Sequence, residues 1–524
     1  MTKKCFSPAC AFIIAVVCLA IFQFSENTAD PDLWSHVFFG TQFVQTGKPT
    51  TIDYYSWTAY RQPSFDHEYL GEAVFGLAYL ALGGPGLLLL KIIVGLLTFG
   101  IALSLAAKNL DPKAKLVAWA FGALAVVEIS FGFAARPQIF TALFLAVELW
   151  LLAQIHHGKW QWALALPPLF AVWFNLHGGA LAGLILLFIA AAATSVQWLL
   201  AKSAPARTVT ILWISAVVAA ATVVLNPHGL ELARWLIGSV LWLRPQIQEW
   251  NSAKLNGDHA TFFCCAAVAA AAFALSRRPR QFWEMAVLAF LFVVGFRAVR
   301  NAPLFCIAAL AFVPPHLADV LQRFQNHFQR FGELFQPPAA RKTLTAFFAI
   351  VSAGIITATF TLHKKHFWTM EIPRAQYPVA AIDFIQQHDL HGHLLVFFDW
   401  GEMCIWNLPD SSVSMDGRLD SVYSPEVIAA HWKLYNGEPF DTNILSLARA
   451  DYALLPSSLA GSMALAQNDG WQPVYFDDLA VVLVKNLRQF PDLAGLKAPV
   501  RGGPGATEGR DAFPNHLARS VTTP

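Results

Sequence analysis

Charged residues are scarce in this chain of 524 residues, where Asp, Glu, Lys and Arg together make up 13%. Ordinary soluble domains contain about 25%. The formal net charge is only +2, so the balance of charge gives no indication of a nucleic-acid partner. Hydrophobic residues make up 56% of the chain. This composition excludes an ordinary soluble protein and indicates a membrane protein.

Cysteine is also scarce, with seven residues in the chain. Only Cys404 lies in the polar C-terminal region, so that region cannot form an internal disulfide. No CxxC spacing indicates a zinc site. Absent too is a small-residue cleavage site between the first apolar run, residues 9–24, and Asp30. We therefore interpret this run, which follows Lys3 and Lys4, as an uncleaved signal-anchor helix with its N-terminus inside.

Long apolar runs are the main feature present, and each is close to the ~20 residues needed to cross a bilayer. Ten of them follow the first helix, at residues 86–107, 115–133, 137–155, 160–177, 180–200, 208–226, 259–276, 281–297, 303–320 and 343–362. They alternate with cationic connections at 108–115, 156–159, 202–207, 277–280 and 323–342. Cationic loops face the cytoplasm. This predicts about 11 spans in the cytoplasmic membrane, with everything after residue 362 outside.

The segment Tyr69–Leu82 is apolar but short, and it ends in a Gly-Gly-Pro-Gly sequence. Counting it as a span would invert every later loop. We therefore expect an interfacial or re-entrant helix, with a short twelfth span as the alternative.

The first outer loop, residues 25–69, contains two acidic clusters. Asp30 and Asp32 flank Pro31, and Asp66-His67-Glu68 precedes the next helix. Capping of the following helix is an alternative role for Asp32 and for Asp66. Capping explains one carboxylate of the first pair and not both. We expect a catalytic or metal-binding role for at least one of them, and the second cluster either positions an acceptor or completes a divalent metal site.

Other unusual polar residues fall on the predicted outer side. Arg136, Arg297 and Arg300 adjoin apolar spans, and a guanidinium suits phosphate, although a snorkelling side chain is the alternative. His177 and His228 each follow an Asn-containing sequence and precede a glycine. Either histidine can bind phosphate, relay a proton or ligate a metal, or simply cap a helix end.

In the C-terminal region, residues 363–490, the sequence pattern changes from long apolar runs to short ones, and this pattern predicts a small α/β domain. Short strands are expected at 394–399, 413–415, 452–455, 474–476 and 480–485, and helices at 377–388, 425–435 and 444–449. Asp399-Trp400-Gly401 and Asp416-Gly417-Arg418-Leu419-Asp420 follow two of these strands, where ligand binding and turn formation are both open. Residues 491–524 lack periodicity and are expected to be disordered.

Four motifs resemble one superfamily. They are Asp30-Pro31-Asp32-Leu33-Trp34-Ser35-His36, Asp66-His67-Glu68-Tyr69-Leu70, Trp173-Phe174-Asn175-Leu176-His177-Gly178-Gly179 and Asn226-Pro227-His228-Gly229. Together they resemble a bacterial branch of the GT-C membrane glycosyltransferases, which include protein O-mannosyltransferases and lipid A aminoarabinose transferases. The similarity covers most of residues 8–490.

The resemblance implies a GT-C-like fold for residues 1–362 and an inverting transferase with a polyprenyl-phosphate sugar donor. In the superfamily an acidic residue of the first outer loop is the catalytic base, a role that carries over to Asp30 or Asp32. We prefer Asp30 because Asp32 has the capping alternative.

The expected binding residues follow from the motifs and the outer arginines. They are His36, Asp66, His67, Glu68, Arg136, His177, His228, Arg297 and Arg300. No cofactor is certain, and a divalent metal held among Asp30, Asp32, Asp66 and Glu68 stays open. The acceptor is a glycan, a lipid or a protein. A transporter or flippase of a lipid-linked or anionic solute, and a non-catalytic glycan-binding scaffold, are the alternatives.

Overall fold

A computed structural model of the chain describes residues 7–108, 110–201, 205–241, 246–255, 257–333, 337–362, 368–468, 470–493, 495–503 and 505–514. Lys3, Lys4 and parts of three predicted cationic connections, 108–115, 202–207 and 323–342, lie outside these residues. The predicted orientation in the membrane stays a prediction.

The α-helices of the described residues are numbered in chain order. They are α1 (Pro8–Phe24), α2 (Leu33–Thr46), α3 (Tyr69–Leu82), α4 (Gly84–Ala107), α5 (Pro112–Phe131), α6 (Gln138–His156), α7 (Leu166–Leu176), α8 (Ala180–Ala201), α9 (Ala206–Ala221), α10 (Leu230–Leu241), α11 (Ala260–Leu275), α12 (Phe282–Arg297), α13 (Ala302–Glu333), α14 (Pro338–Leu362), α15 (Val379–Gln387), α16 (Phe398–Asn407), α17 (Pro425–Tyr435) and α18 (Ala460–Ala466).

The strands of the same residues are numbered likewise. They are β1 (Glu371–Pro373), β2 (Gly392–Val396), β3 (Ser411–Val413), β4 (Tyr452–Pro456), β5 (Gln472–Phe476), β6 (Ala480–Val484), β7 (Val500–Arg501) and β8 (Arg510–Ala512).

The chain divides into two compact units. The first contains residues 1–26 and 89–367, and the second contains residues 27–88 and 368–524. The first outer loop therefore folds with the C-terminal region, whereas the predicted boundary at residue 362 placed it with the spans. Local hydropathy cannot show such an association because the two segments are far apart in sequence.

The first unit is a bundle of apolar helices. α5 packs against α1 and α13, α8 packs against α9 and α12, and α14 packs against α1. Each of the ten predicted runs after α1 coincides with helical structure. Seven helical segments in the described residues are long and apolar enough to cross a membrane, and α1, α3 and α11 are shorter apolar helices. The expected polytopic helical fold is confirmed, and the chain is an integral membrane protein.

The second unit contains a mixed sheet of six strands in the order β3-β2-β4-β6-β5-β7. β2 is parallel to β3 and β4, with Leu394 opposite both Val413 and Tyr452, whereas β6 is antiparallel to β4 and β5. Every residue of β4 is buried, as expected for a central strand covered on both faces. The small C-terminal α/β region is thus confirmed.

Part of the first loop lies beside this sheet. Val413 donates its backbone N–H to the carbonyl of Tyr55 at 2.9 Å, and Trp57 donates its backbone N–H to the carbonyl of Val413 at 3.0 Å. The indole of Trp57 donates to the carbonyl of Leu394 at 3.1 Å. Backbone pairing of this kind fixes the register of the loop.

The helices α2 and α3 cross closely through two glycines. A Cβ atom on Gly40 would collide with the backbone carbonyl of Glu72, and one on Gly76 would collide with the backbone of Gly40. Small residues permit this approach. The packing shows how α3 is held within the second unit, and its interfacial or spanning character stays a prediction.

The C-terminal segment differs from two expectations. The helix expected at 444–449 is reduced to a 3₁₀ turn, Leu447–Arg449. The disorder expected for 491–524 does not extend over β7 and β8, since β8 pairs with β1 and β7 pairs with β5. Residues 515–524 lie outside the described part of the chain.

Candidate functional site

Two carboxylates stand at the start of α2. Asp32 is the N-cap residue, with φ −82° and ψ −5°, and makes no side-chain capping hydrogen bond. Oδ1 of Asp30 instead accepts a hydrogen bond from the backbone N–H of Asp32 at 3.0 Å. The capping role expected for Asp32 is therefore wrong, because a capping side chain requires a more extended backbone at that residue. At the start of α2, the side chain that accepts this backbone hydrogen bond is therefore that of Asp30.

The carboxylate of Asp32 lies against the turn that follows β3. A Cβ atom on Gly417 would collide with Oδ1 of Asp32 and would lie 2.9 Å from Oε1 of Glu402. Glycine at this position lets the backbone approach a functional group closely. The C-terminal region therefore forms one side of the surroundings of Asp32.

Glu402, in α16, is a buried acid next to Asp32. It is 3% exposed, and its Oε2 atom has no hydrogen-bond partner among the described residues. Burial raises the pKa of Glu402 well above its usual range, and the carboxylates of Asp32 and Asp416 raise it further. The shift has a direct cause, because an ionised Glu402 would be buried beside the negative charges of Asp32 and Asp416.

Arg418 anchors the turn that carries Gly417. Its guanidinium binds both carboxylate oxygens of Asp416, at 2.9 and 2.7 Å, and its Nη2 atom lies 2.9 Å from Oδ1 of Asp53. Both aspartates are fully buried. Burial lowers the pKa of Arg418, but Asp416 and Asp53 raise it more, so the pKa lies above its ordinary value. The forked ion pair connects the first loop to the turn.

The second acidic cluster lies around the start of α3. His36 Nδ1 is 3.1 Å from Oε1 of Glu72, and His67 Nε2 is 3.1 Å from Oε1 of Glu68. Asp66 accepts a hydrogen bond from the backbone N–H of Glu68 at 3.2 Å. Glu68 is the N-cap residue, so the capping role expected for Asp66 is wrong.

Burial and neighbouring charges shift the pKa values of Asp66 and His67 in this second acidic cluster. Burial raises the pKa of Asp66 well above its usual range, and the charge of Glu72 raises it further. Burial lowers the pKa of His67, but the Glu68 carboxylate raises it more, so the net change is upward. The expected binding residues His36, His67 and Glu68 are thus held in close side-chain contacts, His36 with Glu72 and His67 with Glu68.

A divalent cation is held by several oxygen or nitrogen ligands at once. Among the described residues, no group of three or more His, Cys, Asp or Glu side chains is placed to hold a metal ion. Asp30, Asp32, Asp66 and Glu68 do not form such a group. No step below is therefore assigned to a metal.

Two of the three predicted arginines come together in the first unit. Arg300 Nη1 lies 2.9 Å from Oε1 of Glu249, and Arg136 Nη1 lies 3.7 Å from the same atom. The guanidinium of Arg300 also lies 4.8 Å from the ring centroid of Trp250. Arg297 is exposed at the end of α12. The pairing gives two partly buried guanidiniums around one carboxylate.

The two histidine motifs also meet in the first unit. Asn226 donates its side-chain amide to Oδ1 of Asn175 at 3.1 Å and accepts the backbone N–H of His228 at 3.0 Å. His177 Nδ1 lies 2.8 Å from Oγ1 of Thr141 and accepts the backbone N–H of Gly179 at 2.8 Å. The asparagines therefore join the motifs, and His177 has a structural role through its Nδ1 atom.

The sequence indicated part of this arrangement. The Asp416–Asp420 turn was a candidate for ligand binding or turn formation, and the structure shows a turn whose glycine faces Asp32. Glu402 was missed because residues 394–399 were interpreted as one strand. The strand ends earlier and α16 begins at Phe398, which places Glu402 inside the unit.

Structural comparison relates this arrangement to solved membrane enzymes. The chain is similar to the oligosaccharyltransferase AglB from Archaeoglobus fulgidus in complex with an inhibitory peptide and a dolichol-phosphate, with 13% identity, TM-score 0.55 and coverage of 85% of this chain and 69% of that one. It is similar to an Archaeoglobus fulgidus oligosaccharyltransferase in the apo form, with 12% identity, TM-score 0.58 and coverage of 95% and 76%.

A third similar structure is apo ArnT from Cupriavidus metallidurans, with 14% identity, TM-score 0.47 and coverage of 93% and 98%. No family model matches the chain, and no curated protein matches its sequence. The similarity in fold rests on the two oligosaccharyltransferases, whose TM-scores are 0.55 and 0.58. The chain shares the fold of these two solved oligosaccharyltransferases.

Proposed function

We propose that this chain is an inverting glycosyltransferase that uses a polyprenyl-phosphate sugar donor at the outer face of the cytoplasmic membrane. The observation that supports it most directly is the Asp32 carboxylate, which keeps partial exposure, makes no capping bond and stands against Gly417 and Glu402. The solved oligosaccharyltransferase of the same fold holds a dolichol-phosphate, a lipid phosphate of the proposed class.

Asp32 is the proposed general base, in place of Asp30. It takes the proton of an acceptor hydroxyl as the acceptor oxygen bonds to the anomeric carbon. The bond between that carbon and the phosphate oxygen breaks on the opposite side, and polyprenyl phosphate leaves with the electron pair. Asp30 positions the first turn of α2 by accepting the Asp32 N–H.

Arg136 and Arg300 are the proposed ligands of the lipid phosphate. Their guanidiniums flank Glu249, and both are only partly buried, so a phosphate can reach them from the open side. A guanidinium offers two parallel donors to a phosphate. His177 and His228 stay proposed binding residues of the first unit, where the backbone N–H of His228 is held by Asn226, which in turn contacts Asn175.

The decisive experiment compares Asp32→Asn with Asp30→Asn in purified protein reconstituted in lipid. The probes are radiolabelled polyprenyl-phosphate hexoses and N-acetylhexosamines, and the measurement is release of polyprenyl phosphate. Loss of a general base typically lowers the rate about 10²–10⁴-fold. We expect that loss for Asp32→Asn, and a smaller effect for Asp30→Asn. Parental activity of Asp32→Asn would refute the assignment.

The phosphate assignment has a separate test, which needs no knowledge of the sugar. Binding of decaprenyl phosphate is measured for Arg300→Lys, Arg136→Lys and an Arg297→Lys control. The lysine variants keep the charge but lose the fork. We expect weaker binding for the first two and unchanged binding for Arg297→Lys. Equal binding by all three variants and the parent would contradict the assignment.

A further inference from the structure

The first unit contains an apolar groove that the proposed reaction does not use. Its volume is about 590 Å³, and every lining residue in the described part of the chain is apolar. This volume falls within the roughly 300–1,000 Å³ range of ligand pockets. Pro8 and Phe12 of α1, Leu116 and Ala120 of α5, and Phe348 of α14 line it, with further residues from α11 and α13.

The groove lies at the N-terminal ends of three helices. Apart from Leu124 of α5, the lining residues of α1, α5 and α14 belong to the first half of their helix. Along α1, Phe12 is about 18 Å from Phe24 at 1.5 Å per residue. α14 is little covered by protein, since only 6% of its apolar window is buried. The groove therefore opens among helices that face lipid.

Exposed cations stand at the same end of two of these helices. Lys113 precedes Leu116 by three residues, and Arg341 precedes Leu344 by three residues, so each cation shares a helix face with a lining residue. Both cations are exposed. Helix N-termini also favour negative charge. The end of the groove thus combines an apolar channel with a positive rim.

The acidic side chains near this rim are already engaged. Asp111 accepts the backbone N–H groups of Lys113 and Ala114 and the side-chain amide of Gln322. Asp319 accepts the hydroxyl of Ser276 and the backbone N–H of Arg277. A hydrogen bond does not remove the charge of a carboxylate, but Lys113, Lys115, Arg341 and Lys342 outnumber these two acids. Positive charge therefore predominates at the rim.

We propose that this groove binds an anionic phospholipid, with an acyl chain among the apolar side chains and the phosphate between Lys113 and Arg341. The occupant must be apolar along the groove because no polar side chain among the described residues lines it, and the surrounding solvent is lipid. The positive rim selects an anionic headgroup. Basic sites between membrane helices have this preference in general.

The experiment measures lipid retention by native mass spectrometry of the full chain in detergent. Phosphatidylglycerol and phosphatidylcholine with identical acyl chains are the probes. Each cation near a membrane surface is worth about fivefold in affinity for anionic lipid. We expect phosphatidylglycerol to bind more tightly, and Lys113→Gln/Arg341→Gln to lose about 25-fold of that affinity while phosphatidylcholine binding is unchanged. The charge control is Lys433→Ala, on an exposed residue of α17.

A second variant tests the groove itself. Ala120→Phe fills it, and Val217→Phe adds the same ring at an exposed position of α9. We expect Ala120→Phe to weaken retention of both lipids and Val217→Phe to weaken neither. Equal affinity for the two lipids, or parental retention by Ala120→Phe, would overturn the proposal. So would displacement of phosphatidylglycerol by equimolar decaprenyl phosphate, because the groove would then belong to the donor.

Discussion

The substitution Gly417→Ala directly tests whether the surroundings of Asp32 matter for the proposed reaction. Alanine at this position adds one methyl group, which would collide with Oδ1 of Asp32 and lie 2.9 Å from Oε1 of Glu402. Gly417 does not have a positive φ, so alanine creates no backbone strain there. The cost therefore falls on the Asp32 carboxylate, which can rotate or shift.

The expected magnitude follows from this displacement. Restoring van der Waals contact moves the carboxylate by about 1 Å, and a misplacement of that size can lower the rate about 10²-fold. Overpacking costs typically about 1–3 kcal/mol, and we expect the low end because a side-chain terminus yields more easily than backbone. Gly417→Ala should thus remain folded while losing nearly all sugar transfer.

The assay measures release of polyprenyl phosphate together with the melting temperature of the purified protein. Gly503→Ala is the matched control, because a Cβ atom there would have no neighbour within 4 Å. The control should keep parental activity and stability. If Gly417→Ala transferred sugar at the parental rate, the contact between the turn and Asp32 would have no catalytic importance.

Three further variants test the supporting structure. Arg418→Met leaves the buried carboxylates of Asp53 and Asp416 without their cation and should destabilise the protein by about 3–5 kcal/mol, seen as a lower melting temperature; an unchanged value would contradict the anchoring role. In Glu402→Gln the side chain cannot ionise. The pKa of Glu402 is raised in the folded state, so protonated Glu402 contributes stability that is complete below its ordinary pKa and is lost as the pH rises through the raised pKa. The variant should therefore melt at a higher temperature than the parent at pH 8, and the difference should shrink toward pH 4. Gly40→Ala pushes a methyl group into the backbone of α3 and should destabilise the α2–α3 pair by about 1–3 kcal/mol. The comparison variant is Gly47→Ala, at the exposed C-terminal end of α2, which changes a residue with a positive φ of 69° without creating a clash.

Hydropathy predicted the membrane helices because their formation depends on local composition. Each apolar run of about 20 residues has only one way to satisfy its backbone in lipid, and all ten runs after α1 are helical. α10 was not predicted, since Glu231 and Arg234 interrupt its apolar face. Strands β2 to β6 of the C-terminal sheet were predicted to within a few residues by their β-branched and apolar content, whereas β7 lies in the segment that was expected to be disordered.

The candidate site was less predictable because its contacts are non-local. The ion pair between Asp53 and Arg418, and the approach of Gly417 to Asp32, connect segments that no periodicity relates. The start of α16 was missed because Val396, the last residue of β2, and Phe397 lead directly into the helix without a polar cap. Caps and turns are the usual local signals of a boundary.

The two aspartates of the first loop show how a local rule can mislead. An aspartate directly before an apolar helix is usually its cap, and that rule favoured Asp30 as the base. The structure shows no capping bond from Asp32, because the backbone at Asp32 is already helical and the preceding aspartate accepts the N–H of Asp32. The cap-like bond therefore belongs to Asp30, and Asp32 is the carboxylate that we propose to accept the proton. Its neighbours Glu402 and Gly417 both come from the C-terminal region, so that region forms part of the proposed site.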